Sequence, residues 1–191
     1  MEKLVERIKR DGTVLGEDIL KVDSFLNHQI DVDLLDDMGK EFFSYFKEKK
    51  IDKILTIEAS GIAVACFVGR YFKVPVVFGK KTESKNLDLE TYDADVFSFT
   101  KNKTYKVKVS KKYLSAGEHV LIIDDFLANG KAAEGLISIV EKSGACVSGV
   151  GIVIEKGFQP GGENLTRAGY DLHSLAVIER FENQQAIFRE D

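Results

Sequence analysis

The chain has 191 residues, of which 44% are hydrophobic and 30% charged, and its formal net charge is −4 at pH 7. These values indicate one domain of ordinary size with a sizeable core, and the mild acidity argues against a dedicated nucleic-acid-binding protein, which is usually basic. No apolar run approaches the ~20 residues that cross a bilayer, and the charged N-terminus is unlike a signal peptide, so a cytoplasmic location is expected. Cys66 and Cys146 lie in apolar sequence and are expected to be buried, reduced thiols.

The first two predicted elements are amphipathic helices. Apolar spacing predicts a short helix over residues 2–10. Residues 12–31 have no clean period, which indicates irregular structure packed against the rest of the chain. Either Asp31 or Asp33 can cap a longer helix over about 34–49, whose basic end suits the helix dipole.

Strands and helices then alternate along the chain. Short apolar runs without alternation are typical of strands buried on both faces of a parallel sheet. The predicted elements are strands at Lys53–Glu58, Pro75–Phe78, Val120–Asp124 and Cys146–Ile154, and helices from about Ser60 to Lys73 and from Lys131 to Ser143. This order predicts right-handed crossovers and an α/β fold with helices on both sheet faces, in a single domain over residues 1–191.

One segment, residues 80–112, breaks the alternation. It begins with a polar stretch and continues with VFSFT and YKVKV, whose period of two predicts an antiparallel hairpin after a long loop. Loops of this length in a compact domain are usually functional or disordered. Residues 101–112 hold six lysines and no acid, so either the hairpin is exposed to solvent or some lysines face a polyanionic ligand in the same chain or a partner.

The stretch VLIIDDFLANGKAAEG, residues 120–135, carries the strongest functional signal. A buried strand delivers Asp124 and Asp125 to its carboxyl end, where open α/β sheets bind ligands. Adjacent carboxylates repel one another unless something pairs with them, and sugar hydroxyls or a metal ion are suitable partners. The two acids are therefore candidate catalytic residues.

Two loops at strand-to-helix turns are candidate anion sites. Small residues and a glycine at such a turn let backbone N–H groups converge at a helix N-terminus, as phosphate binding requires. The residues of the later loop are Ala128, Asn129, Gly130, Lys131 and Ala132, and those of the earlier loop are Ala59, Ser60 and Gly61.

The later motif resembles the phosphoribosyl pyrophosphate motif of the type I phosphoribosyltransferases. The resemblance implies that Asp124 and Asp125 hold the ribose, that residues 128–132 hold the 5-phosphate, and that the Ala59–Gly61 loop binds pyrophosphate. It also implies the family fold: a central, mostly parallel sheet flanked by helices, a small hood formed by about residues 12–30 with the C-terminal segment, and a flexible lid and hairpin over about 80–112.

The sequence departs from the family pattern at two places. Most members have Thr-Gly-Gly-Thr or Thr-Gly-Lys-Thr where this chain has Asn129-Gly130-Lys131-Ala132, so hydroxyl donors to phosphate are missing. The family's Arg-Lys pair at the start of the lid is replaced by Lys80 and Lys81, which keep the charge but lose the bidentate guanidinium.

Nearly the whole chain is similar to the bacterial family members that act on xanthine, through Ile19–Asp31, His119–Gly130 and Gly151–Gly161. This implies that Leu20 and Asn27 lie in the hood over the base and that Lys156 contacts it. An ammonium donates to a ring carbonyl and leaves an exocyclic amine unpaired, which favours 6-oxopurines.

Further expectations follow from the resemblance and from residue chemistry. The amide of Asn27 can read a second oxo group, and either Phe126 or Phe158 can stack on the base. The resemblance implies Mg²⁺ bound mainly through phosphoribosyl pyrophosphate, with no protein metal ligand, and a homodimer. The three histidines have no metal-ligand spacing and are expected to be structural or solvent-facing: His28, His119 and His173.

Three alternatives stay open at this stage. A regulator that senses phosphoribosyl pyrophosphate would require a DNA-binding domain, for which the first ~30 residues are too short. A receiver-type phosphoacceptor domain has acids at strand ends but does not account for the Ala-Asn-Gly loop. A transferase for hypoxanthine and guanine has the same residue chemistry, and only the full-length resemblance favours xanthine.

Overall fold

A computed structural model describes residues 1–81, 90–98 and 103–189 of the chain. The described part forms the helices α1 Glu2–Asp11, α2 Val32–Phe46, α3 Ser60–Phe72, α4 Lys131–Lys142 and α5 Gly161–Arg167. Its strands are β1 Thr13–Leu15, β2 Ile19–Lys21, β3 Lys53–Ile57, β4 Val76–Gly79, β5 Thr91–Ser98, β6 Lys103–Ser110, β7 His119–Leu127, β8 Cys146–Lys156, β9 Leu172–Glu182 and β10 Gln185–Phe188.

The central sheet has six strands in the order β10-β9-β8-β7-β3-β4. Strands β4, β3, β7, β8 and β9 are parallel neighbours, and β10 pairs antiparallel with β9. Because parallel strands end at the same edge, the carboxyl ends of β3, β7 and β8 lie side by side, where open α/β sheets bind ligands. The predicted α/β class with a mostly parallel sheet is confirmed.

Each face of the sheet has its own core. On one face, Phe42 of α2 and Val64 of α3 pack against sheet residues such as Ile123. On the other, Leu136 of α4 packs with Ile122 of the same strand. Burial on both faces explains why β7 is a continuous apolar run.

The helix predicted over about 34–49 is α2, Val32–Phe46, which begins two residues earlier and ends three residues earlier than predicted. Asp31 is its N-cap, and its carboxylate accepts a hydrogen bond from the amide of Leu34 at 3.1 Å. The helix ends at Phe46 because the amide of Lys49 bonds to the carbonyl of Phe46 at 2.9 Å, which closes a turn.

The region predicted to be irregular, residues 12–31, contains a small antiparallel pair and a helical turn. Strand β1 pairs with β2 from Thr13↔Lys21 to Leu15↔Ile19, and Asp23–Asn27 forms a π-helical turn. These elements are too short to produce a readable hydrophobic period.

The hairpin predicted after residue 80 is present as β5 and β6, paired from Thr91↔Ser110 to Ser98↔Lys103. It begins earlier than the VFSFT pattern indicated. Part of the expected lid, residues 82–89 and 99–102, lies outside the described residues.

Both cysteines are exposed, so the prediction that they are buried was wrong. Cys66 lies on α3 between Ala65 and Phe67, on the helix face turned away from the core, and Cys146 is the first residue of β8, at the rim of the sheet. An apolar run around a cysteine does not specify which helix face or strand end it occupies.

Candidate active site

The acid pair lies near the carboxyl end of β7, which runs three residues beyond the predicted end at Asp124, to Leu127. Asp124 pairs in register with Ile152 of β8, and Phe126 with Ile154. The side chain of Asp124 is only 4% exposed, and its Oδ1 accepts the backbone N–H of Asp125 at 3.0 Å. Burial, and then the neighbouring charge of Asp125, raise the pKa of Asp124 well above its ordinary value.

The first turn of α3 packs directly on this pair. A Cβ atom on Gly61 would overlap Oγ1 of Thr56 and lie 3.1 Å from Oδ1 of Asp124. The Thr56 hydroxyl is buried and has no hydrogen-bond partner in the described part of the chain. The Ala59–Gly61 loop and the acid pair, far apart in sequence, are thus brought together.

The loop after β7 turns sharply into α4. Gly130 has a φ of +84°, the left-handed region that glycine adopts without strain, and α4 begins at Lys131. The amide of Gly161 donates to the carbonyl of Ala128 at 3.0 Å, which fixes the loop from outside. Lys131 forms an exposed ion pair with Glu134 at 2.8 Å instead of lying over the loop.

Lys156 is the last residue of β8, and its Nζ donates to the carbonyl of Asp18 at 2.5 Å. Burial lowers the pKa of Lys156. Asp18 lies in the turn between β1 and β2, so the strand end and the segment predicted as a hood meet at this lysine.

The two hood residues predicted to contact a base differ in exposure. Asn27, at the end of the π-helical turn, is exposed, whereas Leu20 is 7% exposed and packs in the core. On β2, the neighbouring Ile19 is 44% exposed. Leu20 and Ile19 point to opposite faces of β2, because successive residues of a strand alternate in direction.

The two candidate stacking residues and one histidine, His173, have structural partners. Phe126 packs partly buried against the core, and Phe158 is 41% exposed with its ring edge-to-face to Phe181 at 5.5 Å. His173 stacks on Tyr45 at 3.9 Å. Within the described ranges, no three His, Cys, Asp or Glu side chains cluster as ligands for a metal ion.

Tyr105 of β6 lies close to Lys81 and was not singled out from the sequence. Nζ of Lys81 lies 5.2 Å from the centre of the Tyr105 ring. Burial, and then the charge of Asp124, raise the pKa of Tyr105, while the charge of Lys81 opposes the rise in the pKa of Asp124. The hairpin therefore approaches the acid pair, which only the YKVKV alternation hinted at.

Two lysines of the hairpin, Lys106 and Lys111, have acidic neighbours. Lys106 lies 3.1 Å from Asp93, and Lys111 lies 3.8 Å from Glu90. These two lysines are therefore paired with acids of the chain, as expected for an exposed, solvated part of the hairpin. Among the described residues, none of the helices combines the length and apolar character that spanning a membrane requires.

Comparison with known proteins identifies the family of the chain. The phosphoribosyl transferase domain family matches residues 21–164. The chain is 60% identical to the xanthine phosphoribosyltransferase of Ruminiclostridium cellulolyticum, over 100% of both chains. It is 58% identical to that of Clostridioides difficile, over 99% of this chain and 100% of the relative.

Solved structures support the fold. The adenine phosphoribosyltransferase of Rhodothermus marinus has a TM-score of 0.75 at 22% identity, over 93% of this chain and 100% of that one. The Saccharomyces cerevisiae adenine phosphoribosyltransferase, complexed with an iminoaltritol bisphosphate and adenine, has a TM-score of 0.72 at 22% identity, over 92% and 99%. With the family match and full-length relatives, these findings show that the chain belongs to the phosphoribosyltransferase family.

Proposed function

We propose that this protein transfers the 5-phosphoribosyl group of phosphoribosyl pyrophosphate to xanthine, giving xanthosine 5′-monophosphate and pyrophosphate. The observation that carries the transfer is the contact between Gly61 and Asp124, which joins the predicted pyrophosphate loop to the predicted ribose site. The choice of base follows the curated relatives, which are named xanthine phosphoribosyltransferase and match this chain over its full length.

The acid pair is proposed to hold the ribose. Sugar hydroxyls are hydrogen-bond donors, and the two carboxylates are acceptors. Hydroxyl donors bound to both carboxylates would reduce the repulsion between them, which burial of one of them strengthens. The raised pKa of Asp124 means that the free protein holds a proton there more tightly than an ordinary aspartate does.

The 5-phosphate is proposed to bind at residues 128–132. Gly130 and the start of α4 present backbone N–H groups, and the helix N-terminus adds partial positive charge. Ala132 replaces the family threonine, so backbone donors and the Asn129 amide would take the place of the missing hydroxyls.

The base is proposed to lie between the hood and the end of β8. Lys156 already donates to a carbonyl at this position, and a purine carbonyl would take over that bond. Asn27 is exposed within the hood and offers both a donor and an acceptor, and Leu20 supports the hood from the core.

The residues present fit a Mg²⁺ ion held mainly through the substrate. Asp124 and Asp125, inside β7, supply carboxylate oxygens at the proposed ribose position, beside which such an ion would lie. When bound, Mg²⁺ would neutralise pyrophosphate oxygens and improve the leaving group.

The protein's own contribution is to position two reactants and exclude water. Holding the ribosyl carbon and a purine nitrogen in line turns a bimolecular step into an effectively unimolecular one. The departure of pyrophosphate leaves an oxocarbenium-like centre, and no side-chain nucleophile is required. A homodimer in the cytoplasm, with the 80–112 segment closing over the site, is the proposed setting.

The test is an assay of purified protein with Mg²⁺, phosphoribosyl pyrophosphate and one base at a time, following nucleotide formation. We expect xanthine to be strongly preferred over hypoxanthine, guanine and adenine. Equal rates with adenine would contradict the base assignment. Tight binding of phosphoribosyl pyrophosphate without turnover of any base would instead indicate a ligand-sensing protein.

A further inference from the structure

Glu155 is a buried carboxylate that the proposed reaction does not use. It precedes Lys156 in β8, is 9% exposed, and pairs in register with Leu127 and Val177. Since successive strand residues point to opposite faces, Lys156 reaches the hood while Glu155 points to the other side of the sheet. The hydroxyl of Ser174 on β9 donates to Oε2 of Glu155 at 2.5 Å.

The other carboxylate oxygen of Glu155 lies against Gly162, in the first turn of α5. A Cβ atom on Gly162 would overlap Oε1 of Glu155 and lie 2.8 Å from its Cδ. Gly162 is buried, and its carbonyl accepts a hydrogen bond from the hydroxyl of Thr166 at 2.9 Å. The start of α5 is therefore seated directly on the carboxylate.

The preceding residue, Gly161, is seated on the proposed phosphate loop. Its amide donates to the carbonyl of Ala128 at 3.0 Å. A Cβ atom on Gly161 would overlap that carbonyl and lie 2.8 Å from the amide nitrogen of Gly130. Two consecutive glycines thus fill the space between Glu155 and residues 128–130, and neither position has room for a side chain.

We propose that Glu155, held by Ser174, is a positioning residue for the 5-phosphate loop: it sets the Gly161–Gly162 segment, which in turn sets Ala128 and Gly130. This inference rests on the proposed function. Under this proposal the last two residues of β8 act on different substrates. Lys156 contacts the base, and Glu155 positions the loop that binds phosphoribosyl pyrophosphate.

The test compares two variants. Glu155→Ala removes the carboxylate against which Gly162 packs, whereas Glu155→Gln keeps the volume of the side chain and an acceptor for the hydroxyl of Ser174. We expect Glu155→Ala to raise the KM and the calorimetric Kd for phosphoribosyl pyrophosphate by about tenfold, because misplacing a binding group by about 1 Å can cost about 100-fold. The KM for xanthine is expected to stay within about twofold, and Glu155→Gln to restore binding.

The matched control is Glu163→Ala, on the same helix but with a side chain that is 70% exposed. It is expected to leave both constants within about twofold, as surface substitutions usually do. An unchanged Kd for phosphoribosyl pyrophosphate in folded Glu155→Ala would overturn the proposal. So would a rise confined to the KM for xanthine, which would mean that Glu155 acts only through its neighbour Lys156.

If Glu155→Ala does not fold, a second variant tests the same proposal. Ser174→Ala removes only the hydrogen bond to Glu155, and we expect the Kd for phosphoribosyl pyrophosphate to rise about threefold. No rise would overturn the proposal. The calorimetric measurement needs no turnover, so if the wild-type protein binds phosphoribosyl pyrophosphate but converts no base, the proposed function fails while the role of Glu155 is still decided.

Discussion

Nζ of Lys156 donates to the backbone carbonyl of Asp18 at 2.5 Å, so the last residue of β8 ties the sheet to the β1–β2 turn. The bond places a half-buried ammonium where the proposed base binds, and burial lowers its pKa. A group in this position favours a ligand that offers a carbonyl and disfavours one that offers an amine.

Lys156→Met keeps the apolar stem and removes the donor. We expect kcat/KM for xanthine to fall about 10- to 100-fold, because an unpaired buried polar group costs about 1–3 kcal/mol. Lys142→Met is the matched control, since Lys142 also donates to a backbone carbonyl, that of Asp93 at 2.6 Å, but on an exposed surface of α4. A Lys156→Met protein that still prefers xanthine would contradict the assignment.

Gly61→Ala tests the contact between the pyrophosphate loop and the acid pair. The added Cβ would overlap Oγ1 of Thr56 and lie 3.1 Å from Oδ1 of Asp124. We expect kcat/KM to fall about 100-fold, because groups at a reaction centre tolerate only small displacements. The measurement is steady-state kinetics with both substrates varied.

Gly69→Ala controls for overpacking on the same helix. Its Cβ would lie 2.6 Å from Cγ2 of Val76, away from the acids. It is expected to lower the free energy of unfolding by about 1–3 kcal/mol while keeping kcat/KM within about threefold. If Gly69→Ala costs as much activity as Gly61→Ala, the loss at Gly61 reflects general destabilisation.

The parts of the fold that the sequence predicted are those with a strong local pattern. The apolar run of β7 marked a doubly covered strand, and the helix predicted to begin at Lys131 does begin there and ends at Lys142. Both follow from chemistry within about fifteen residues of the chain. Asp124 and the Ala59–Gly61 loop were linked only by the family resemblance, and the structure brings them together because β3 and β7 are parallel neighbours.

What could not be predicted depends on contacts between distant segments. The approach of Tyr105 to Asp124 and the seating of Gly162 on Glu155 join residues from different parts of the chain and have no local period. The strand was predicted to end at Asp124, but β7 continues to Leu127 because β8 extends beside it. The exposure of Cys66 likewise depends on which face of α3 meets the core.

Asp124→Asn tests the cost of burying the acid pair. Burial and the charge of Asp125 raise the pKa of Asp124, so the folded state binds its proton more tightly than the unfolded state. The contribution of this group to stability is full below about pH 4, the ordinary pKa of aspartate, and is lost as pH rises through the raised pKa. Asparagine does not ionise, so the variant should gain stability over wild type as pH rises.

The measurement is the free energy of unfolding in urea for both proteins without ligand, between about pH 5 and about pH 9. Asp125→Asn removes only the second cause of the shift and should give a smaller change of the same sign. A difference between Asp124→Asn and wild type that stays constant with pH would show that the carboxyl of Asp124 ionises as readily in the folded state as in the unfolded one.

The ion pair between Lys53 and Glu118, at the end of the sheet opposite the proposed site, should contribute to the free energy of unfolding and not to catalysis. Lys53 is 8% exposed, and its Nζ donates to both carboxylate oxygens of Glu118, at 2.7 and 2.8 Å, and to the carbonyl of Tyr113 at 2.6 Å. Burial acts to raise the pKa of Glu118, but the hydrogen bonds from Lys53 and from the amide of Ser115 outweigh it and hold that pKa below its ordinary value.

Glu118→Ala leaves the Lys53 ammonium buried without its counterion, so we expect the free energy of unfolding to fall by about 3 kcal/mol near neutral pH. The wild-type contribution is present above the ordinary glutamate pKa of about 4.3 and is lost as pH falls through the lowered value, so the two proteins should converge in acid. Because Lys53 begins β3 and the proposed site lies beyond the other end of that strand, kcat/KM should stay within about twofold.

The control is Glu163→Ala, which breaks an exposed pair with Arg167 and should leave the free energy of unfolding unchanged. Equal stability of Glu118→Ala and wild type would mean that water solvates Lys53 in place of the carboxylate.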